Sequence, residues 1–430
     1  MKILHINTMS TAGAALCAMR INNALVKEGI DSRMLFAQGT EVPEGINGAI
    51  AEEDKDFWHR NPWLLRFKYL LARTPLWQKM DKEKVEMILR QKNSRLEKKL
   101  YLHGPYSSYK NIAHHPLVEW ADVIHLHWVA YFVDYPTFFK EVKKPIVWTL
   151  HDRLPAVGVL HFESLFYPVP DSLKSIDAYC KRVKRESVLQ AQKLNIVAIS
   201  EMMIDVCEKS DVLKGFPVTL IHNGVNTDAF QPYNKRAARE ELGLPLDAKI
   251  FLFSANSLDD ENKGLSRIIQ ALESLGLSNM MLVCIGKCDS EDAFSKASFL
   301  IKVTGYVNSQ TDIVKYYSAA DLYLQASYIE TFSQTLIEAM ACGTPVVTTQ
   351  SGGAKEVVHS FNGVLCKGFS SEDIALGIKQ ALTKDYDSTV IRQYILDNFK
   401  YEKIAKQYIS LYEKSVPVHS FHSPLTRSKD

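Results

Sequence analysis

Short apolar and β-branched runs recur along the chain, separated by longer stretches with helical spacing. KILHIN, DSRMLF, DVIHLHW, PIVWTLH, NIVAIS and VTLIHN lie in the first half; KIFLFSA, MMLVCIG, IKVTGYV, DLYLQAS and TPVVTT lie in the second. Most of these runs have no polar face, as expected for strands buried on both sides by the helices between them. Strands alternating with helices predict an α/β fold with parallel sheets. The rhythm pauses at GVNTDAFQPYNKRAAREELGLPLDAK, a polar segment with two prolines that reads as a linker and a short helix. It divides the chain into a Rossmann-like domain over 1–232 and a second over 233–395, with a helix over 396–415 expected to pack back on the first. Residues 416–430 read as a disordered tail. Ligands of open α/β sheets bind beyond the carboxyl ends of the strands, so the two domains are expected to face a central cleft.

Composition narrows the picture. A chain of 430 residues, 46% apolar, is too long for one core, in keeping with two domains. A formal charge of +2 gives no global reason to expect nucleic acid. The seven cysteines are scattered, and Cys284 and Cys288 lack a second pair, so buried free thiols in a reducing compartment are expected rather than a zinc site. The start, MKILHINTMSTAGAA, has no sustained apolar run of the signal-peptide kind, and no stretch is apolar for the length of a membrane span. A soluble, cytoplasmic protein is expected. Residues 58–110 hold thirteen Lys or Arg against four Asp or Glu, interleaved with Trp58, Trp63, Leu64, Phe67, Leu70, Leu71 and Trp77. That segment reads either as a solvated helical excursion on the first domain or as a basic amphipathic surface for an anionic inner membrane or acceptor.

The chemistry concentrates in YIETFSQTLIEAMACGTPVVTT, residues 328–349. A strand, a loop and a helix are expected here, with Ser333 at the helix N-terminus, where backbone N–H groups and the positive end of the helix suit a phosphate. If helical throughout, the eight-residue spacing of Glu330 and Glu338 would separate them by about 12 Å. A glycosidase-like carboxylate pair needs roughly 5 to 9.5 Å, so the two do not read as an acid and nucleophile pair. They fit one extended ligand held at two places, or the polar side of a surface helix.

ETFSQTLIEAMACGTPVV, followed by SGGAKEVV and NGVL, resembles the Glu-x7-Glu region of family 4 retaining glycosyltransferases of the GT-B fold. HNGVNTDAF, NKGLSRIIQAL and VTGYVNSQTDIVKYYSAADLYLQAS resemble further second-domain segments in the same order. HINTMSTAGAALCAMRINNAL and WADVIHLHW…KKPIVWTLHD resemble the first domain of bacterial members that build surface polysaccharides. The resemblance implies that Glu330 lies near the donor sugar, that the N–H groups of Thr331, Phe332 and Ser333 meet its hydroxyls or the pyrophosphate, and that Glu338 holds the ribose. It places Lys263 on the pyrophosphate, the backbone of Tyr306 and Val307 at the base, and Gly13 and Ala14 in a loop that approaches the donor. An Arg shortly before the Lys-Gly turn is usual in the family, but SANSLDDENKG has none; Arg267 reads as a surface charge.

In the first domain the resemblance gives His151 a catalytic role in orienting sugar or acceptor. The segment after it, HDRLPAVGVLHFES, departs from the family's Gly-Gly-Cys-His pattern, with His161 as a match for the later His. Asp152 also reads as a turn residue. His125 and His127 fall on one face of a strand and read as packing or cleft lining rather than metal ligands. The implied reaction moves a sugar, with retention, from a UDP- or GDP-sugar to a saccharide or lipid-linked acceptor in polysaccharide biosynthesis. No cofactor and no essential metal are expected. A GT-B-fold epimerase or phosphorylase, or a non-catalytic sugar-nucleotide binder, are the competing readings.

Overall fold

In the computed structural model every expected strand forms, and the strands assemble into two wholly parallel sheets. The structure describes residues 1–11, 13–37, 39–53, 85, 86, 89, 102–160, 168–289, 294 and 297–416. Most of the basic segment over 58–110, His161, and the tail beyond 416 lie outside the described residues.

The first sheet contains β1 (Lys2–Asn7), β2 (Asp31–Phe36), β3 (Gly48–Ile50), β4 (Val123–Leu126), β5 (Ile146–Leu150), β6 (Leu194–Ala198) and β7 (Val218–Leu220), in the order β3-β2-β1-β4-β5-β6-β7. The second contains β8 (Lys249–Ser257), β9 (Met280–Lys287), β10 (Leu300–Val303), β11 (Leu322–Gln325), β12 (Val346–Thr348) and β13 (Gly363–Leu365), in the order β10-β9-β8-β11-β12-β13. β4, β5 and β11 are buried along their whole length, as strands covered on both faces must be. β3 and β13, three residues each, are too short to show a period and were not anticipated. Strand order reverses between β1 and β4 in one sheet and between β8 and β11 in the other. These are the topological switch points, where neighbouring connections leave in opposite directions and open a crevice at the carboxyl ends.

The chain divides into two compact units, one of residues 1–198, 206–221 and 405–430, the other of 199–205 and 222–404. The change-over falls earlier than the expected residue 232. The reason lies in backbone bonds of the polar segment: Val225 N–H donates to Phe399 O at 2.8 Å, and the Arg392 guanidinium donates to Thr227 O at 3.0 Å and Phe230 O at 2.8 Å. Residues 199–205 join the second unit, where the Glu201 N–H donates to the Glu356 carboxylate at 3.0 Å. Helix Tyr401–Ser415 lies within the expected 396–415 range, and a separate helix, Ser388–Asn398, precedes it. In the first unit, the Tyr408 hydroxyl lies 3.0 Å from Thr149 Oγ1 and the Tyr412 hydroxyl 2.7 Å from His125 Nδ1.

All seven cysteines are free thiols, and all but Cys288 are buried. Among the described residues no helix is long and apolar enough to cross a membrane.

Candidate active site

The second unit builds its site at the β8/β11 switch point. The polypeptide leaves β8 through a short 3-10 turn, Glu261–Lys263, capped by Asp260, whose Oδ1 accepts from Asn262 N–H at 3.0 Å. Gly264 ends the turn at φ 77°, a conformation that L side chains avoid, and a Cβ there would stand 2.5 Å from Ala326 O. Glycine is therefore required to bring this turn against the loop that follows β11. Asn262 joins the two. Its Oδ1 accepts from Ile329 N–H at 2.9 Å, its Nδ2 donates to Ile329 O at 2.9 Å, and its carbonyl accepts from Tyr328 N–H at 3.0 Å.

This stapling sets Lys263 beside Glu330, with Nζ 2.9 Å from Oε2. The two side chains are partly screened from solvent, at 30% and 16% exposure, so the pair keeps access to a ligand. The Glu330 charge, outweighing burial, raises the Lys263 pKa above the ordinary lysine value. The loop is fixed from its other side by Gly352, at φ 55°, where a Cβ would collide with the Glu330 carbonyl oxygen. Gly353 N–H donates to Thr331 O at 3.1 Å. The sequence singles out Lys263 and Glu330 as candidates but not Asn262 or Gly352, which lie far from Glu330 in sequence or in a separate motif.

Ser333 stands at the N-terminus of helix Gln334–Ala341, but its side chain does not cap it; Ser333 Oγ instead accepts from Gln325 Nε2 at 2.7 Å. Phe332 is buried, its ring 5.6 Å from that of His222. Glu338 is buried on that helix, and the Tyr317 hydroxyl donates to its Oε2 at 3.2 Å. Tyr306 is 64% exposed just after Gly305, whose carbonyl accepts from Gly286 N–H at 2.9 Å. Val307 is half-buried. Arg267 is not the surface charge expected from its place on helix Leu265–Leu275. Its guanidinium donates to Ala326 O at 2.7 Å and Phe369 O at 2.9 Å and lies 3.4 Å from the centre of the Tyr328 ring. These bonds hold the backbone just before the Glu330 loop and the backbone beyond β13, and the signal for them was in neither spacing nor charge.

In the first unit the corresponding switch point lies between β1 and β4. Helix Gly13–Lys27 begins just after β1; Gly13 is exposed with open space at its Cβ position, and Ala14 is half-buried. Thr8, at the start of the turn, donates from Oγ1 to Trp128 O at 3.0 Å and Ala130 O at 2.8 Å. His151 follows β5 directly. Its Nε2 is 2.9 Å from His127 Nδ1, and His127 Nε2 is 2.8 Å from His5 Nδ1. β4 stops at Leu126, so His127 lies just beyond the strand. His125 faces the same cluster but is bonded elsewhere, through Nε2 to Thr149 Oγ1 at 2.8 Å and through Nδ1 to Tyr412. Burial pushes His5 down to about 3 and His151 to about 4; the Asp152 charge acts in the opposite direction on His151. Asp152 also closes a turn, accepting from Leu154 N–H at 2.9 Å. His5 was not singled out from the sequence, although it pairs in register with His125 across β1 and β4.

Asp-x-Asp triplets occur at 54–56 and 385–387, so the expectation of no essential metal has no support from the lack of such a motif. The first lies outside the described residues. In the second, Asp387 Oδ1 accepts from Thr389 and Val390 N–H groups as the cap of helix Ser388–Asn398.

Two doubly wound parallel units of this kind are the architecture of the GT-B glycosyltransferase fold. Anabaena HepE, solved in complex with UDP, matches 96% of this chain over 100% of its own at a TM-score of 0.63 and 17% identity, a likeness of fold. Residues 11–229 match the model of Glycosyltransferase Family 4, and residues 234–396 that of Glycosyl transferases group 1. The chain belongs to glycosyltransferase family 4. An uncharacterized glycosyltransferase of Methanocaldococcus jannaschii is 26% identical over 316 residues, 69% of this chain and 76% of that protein. A D-inositol 3-phosphate glycosyltransferase of Thermobispora bispora is 30% identical over 181 residues, 38% of this chain and 42% of that protein.

Proposed function

We propose that this glycosyltransferase moves a sugar from a UDP- or GDP-sugar to a saccharide or lipid-linked acceptor, with retention at the anomeric carbon, in polysaccharide biosynthesis. The observation that carries the reading is the Lys263–Glu330 pair, held at the β8/β11 switch point by Asn262 and Gly352. Lys263 neutralises the pyrophosphate, whose negative charge grows as the sugar leaves, and Glu330 then turns to the sugar. The N–H groups of Thr331, Phe332 and Ser333 meet sugar hydroxyls or phosphate oxygens. Glu338 binds the ribose, the backbone at Tyr306 and Val307 the base, and Gly13 and Ala14 leave room for donor or acceptor. His151 orients sugar or acceptor. The reaction runs without an essential metal, the leaving diphosphate taking the acceptor's proton. Positioning and charge stabilisation supply the catalysis. The UDP bound by Anabaena HepE supports a nucleotide-sugar donor.

The test is release of nucleoside diphosphate from a panel of UDP- and GDP-sugars with saccharide, lipid-linked and inositol phosphate acceptors, followed by NMR of the product's anomeric configuration. Diphosphate release that depends on acceptor, with the donor's configuration kept, is expected. Donor binding without diphosphate release for any acceptor leaves a sugar-nucleotide binder. An inverted product overturns the retaining mechanism. We place the enzyme in the cytoplasm, with the basic segment over 58–110 touching the anionic inner membrane face. Equal sedimentation with anionic and neutral liposomes would count against that contact.

A further inference from the structure

Three imidazoles form one hydrogen-bonded chain in the first unit, from His5 through His127 to His151. His5 and His127 are buried, at 0% and 1% exposure, and His5 Nε2 has no hydrogen-bond partner among the described residues. Each link shares one proton between two ring nitrogens, so in the neutral chain the three tautomers are not independent. One arrangement puts every proton on Nδ1: His5 donates to His127, His127 donates to His151, and a bare lone pair is left at His5 Nε2. The other puts every proton on Nε2, and the chain then ends in an N–H at His5 with nothing to accept it. A buried orphan N–H is the rarer and more costly of the two.

We propose that His127, backed by His5, is a positioning residue that holds neutral His151 as its Nδ1–H tautomer, making His151 a hydrogen-bond donor and not a base. The inference rests on the role given to His151 in sugar transfer. An Nδ1–H suits an oxygen with lone pairs to offer, such as a substrate hydroxyl or a phosphate oxygen. Protonating His151 at Nε2 would reverse both links and create the orphan N–H at His5. His125 and Thr149 lie on the neighbouring strands, Tyr408 and Tyr412 on helix Tyr401–Ser415, and Asp152 beside His151.

A metal ion is the alternative occupant, since donor nitrogens of His5, His125 and His127 lie within 4.8 Å of one another. Both nitrogens of His125 and both of His127 are already hydrogen-bonded, however. An ion taking all three residues would have to break bonds that the protein already satisfies. The cluster is therefore assigned as an imidazole chain.

The test is long-range 1H–15N NMR of the ring-labelled full chain at pH 7 without substrate, so the result does not depend on any transfer activity. His5, His127 and His151 should each show a protonated Nδ1 and a bare Nε2. His127→Leu should release His151 to a mixed or Nε2–H state. His127→Gln, whose amide can accept from His5 and donate to His151, should keep the Nδ1–H form. In turnover assays His127→Leu should lower kcat on the order of 10- to 100-fold with donor KM nearly unchanged, and His127→Gln should recover most of it. A protonated His151 Nε2 in the wild type overturns the proposal, as does an unchanged His151 tautomer in His127→Leu. If His127→Leu fails to fold, the wild-type and His127→Gln spectra decide. The expected tautomers in a chain that transfers no sugar to any acceptor would leave this inference standing and bring down the transferase reading.

Discussion

The two units share a design but use different chemistry at the same place. Each is a doubly wound parallel sheet with its candidate residues at the carboxyl ends beside the point where strand order reverses. At the β8/β11 point the group is an ion pair on a glycine-shaped turn, accessible to solvent and charged. At the β1/β4 point it is a chain of neutral imidazoles, mostly buried. The comparison teaches that topology chooses where a site forms while burial chooses its charge. The Glu330 charge raises the Lys263 pKa, whereas desolvation in the sheet interior drives histidines to the neutral form.

The largest expected effect is on the charged side. Lys263→Ala should lower turnover on the order of 10²- to 10³-fold, the usual loss for one charge-stabilising donor, with the far-UV circular dichroism unchanged. Wild-type diphosphate release from that variant would remove Lys263 from the site. Gly352→Ala should strike the same loop through its backbone. The positive φ and the collision with Glu330 O together should cost at least about 1–3 kcal/mol, read as a lower melting temperature, and weaken donor binding.

Acid should separate the two regions. The unfolded chain's histidines take up protons near 6.5, but folded His5 and His151 hold out to about 3 and about 4. Between those values the unfolded state binds more protons, so stability is lost as pH falls below about 6.5. The slope is about 1.4 kcal/mol per pH unit for each such histidine. Lys263 has the opposite sign: its pKa is raised above 10.5, so its contribution is complete below that value and is lost only as pH rises beyond it. Urea midpoints at pH 7 and pH 5 should therefore fall with acid, and His5→Phe should flatten the fall. An equal slope in the variant would contradict the neutral chain. The smallest effect belongs to Tyr306→Ala. Its ring is exposed, so the melting temperature should stay within about a degree while the preference between UDP- and GDP-sugars shifts.

Much of this was legible without coordinates wherever the relevant residues are neighbours in sequence. Apolar runs such as DLYLQAS announced buried strands, and ETFSQTLIE announced a loop entering a helix, because the period and the N-terminal residue types are local properties. Arg267 shows the limit. On spacing it was a helix-surface charge, yet it donates to the carbonyls of Ala326 and Phe369. No local rule pairs a side chain with a backbone atom dozens of residues away.

The sequence by itself determined the fold class, the order of strands along the chain, and the Lys-Gly and Glu-loop motifs, since each is written in short-range patterning of burial and turn chemistry. Only the tertiary structure decided that Lys263 meets Glu330, that Asn262 and Gly352 hold that loop, and that His5, His127 and His151 are joined. Those meetings depend on which strands lie side by side. Strand order in a parallel sheet is set by the packing of the whole core, which no single segment encodes.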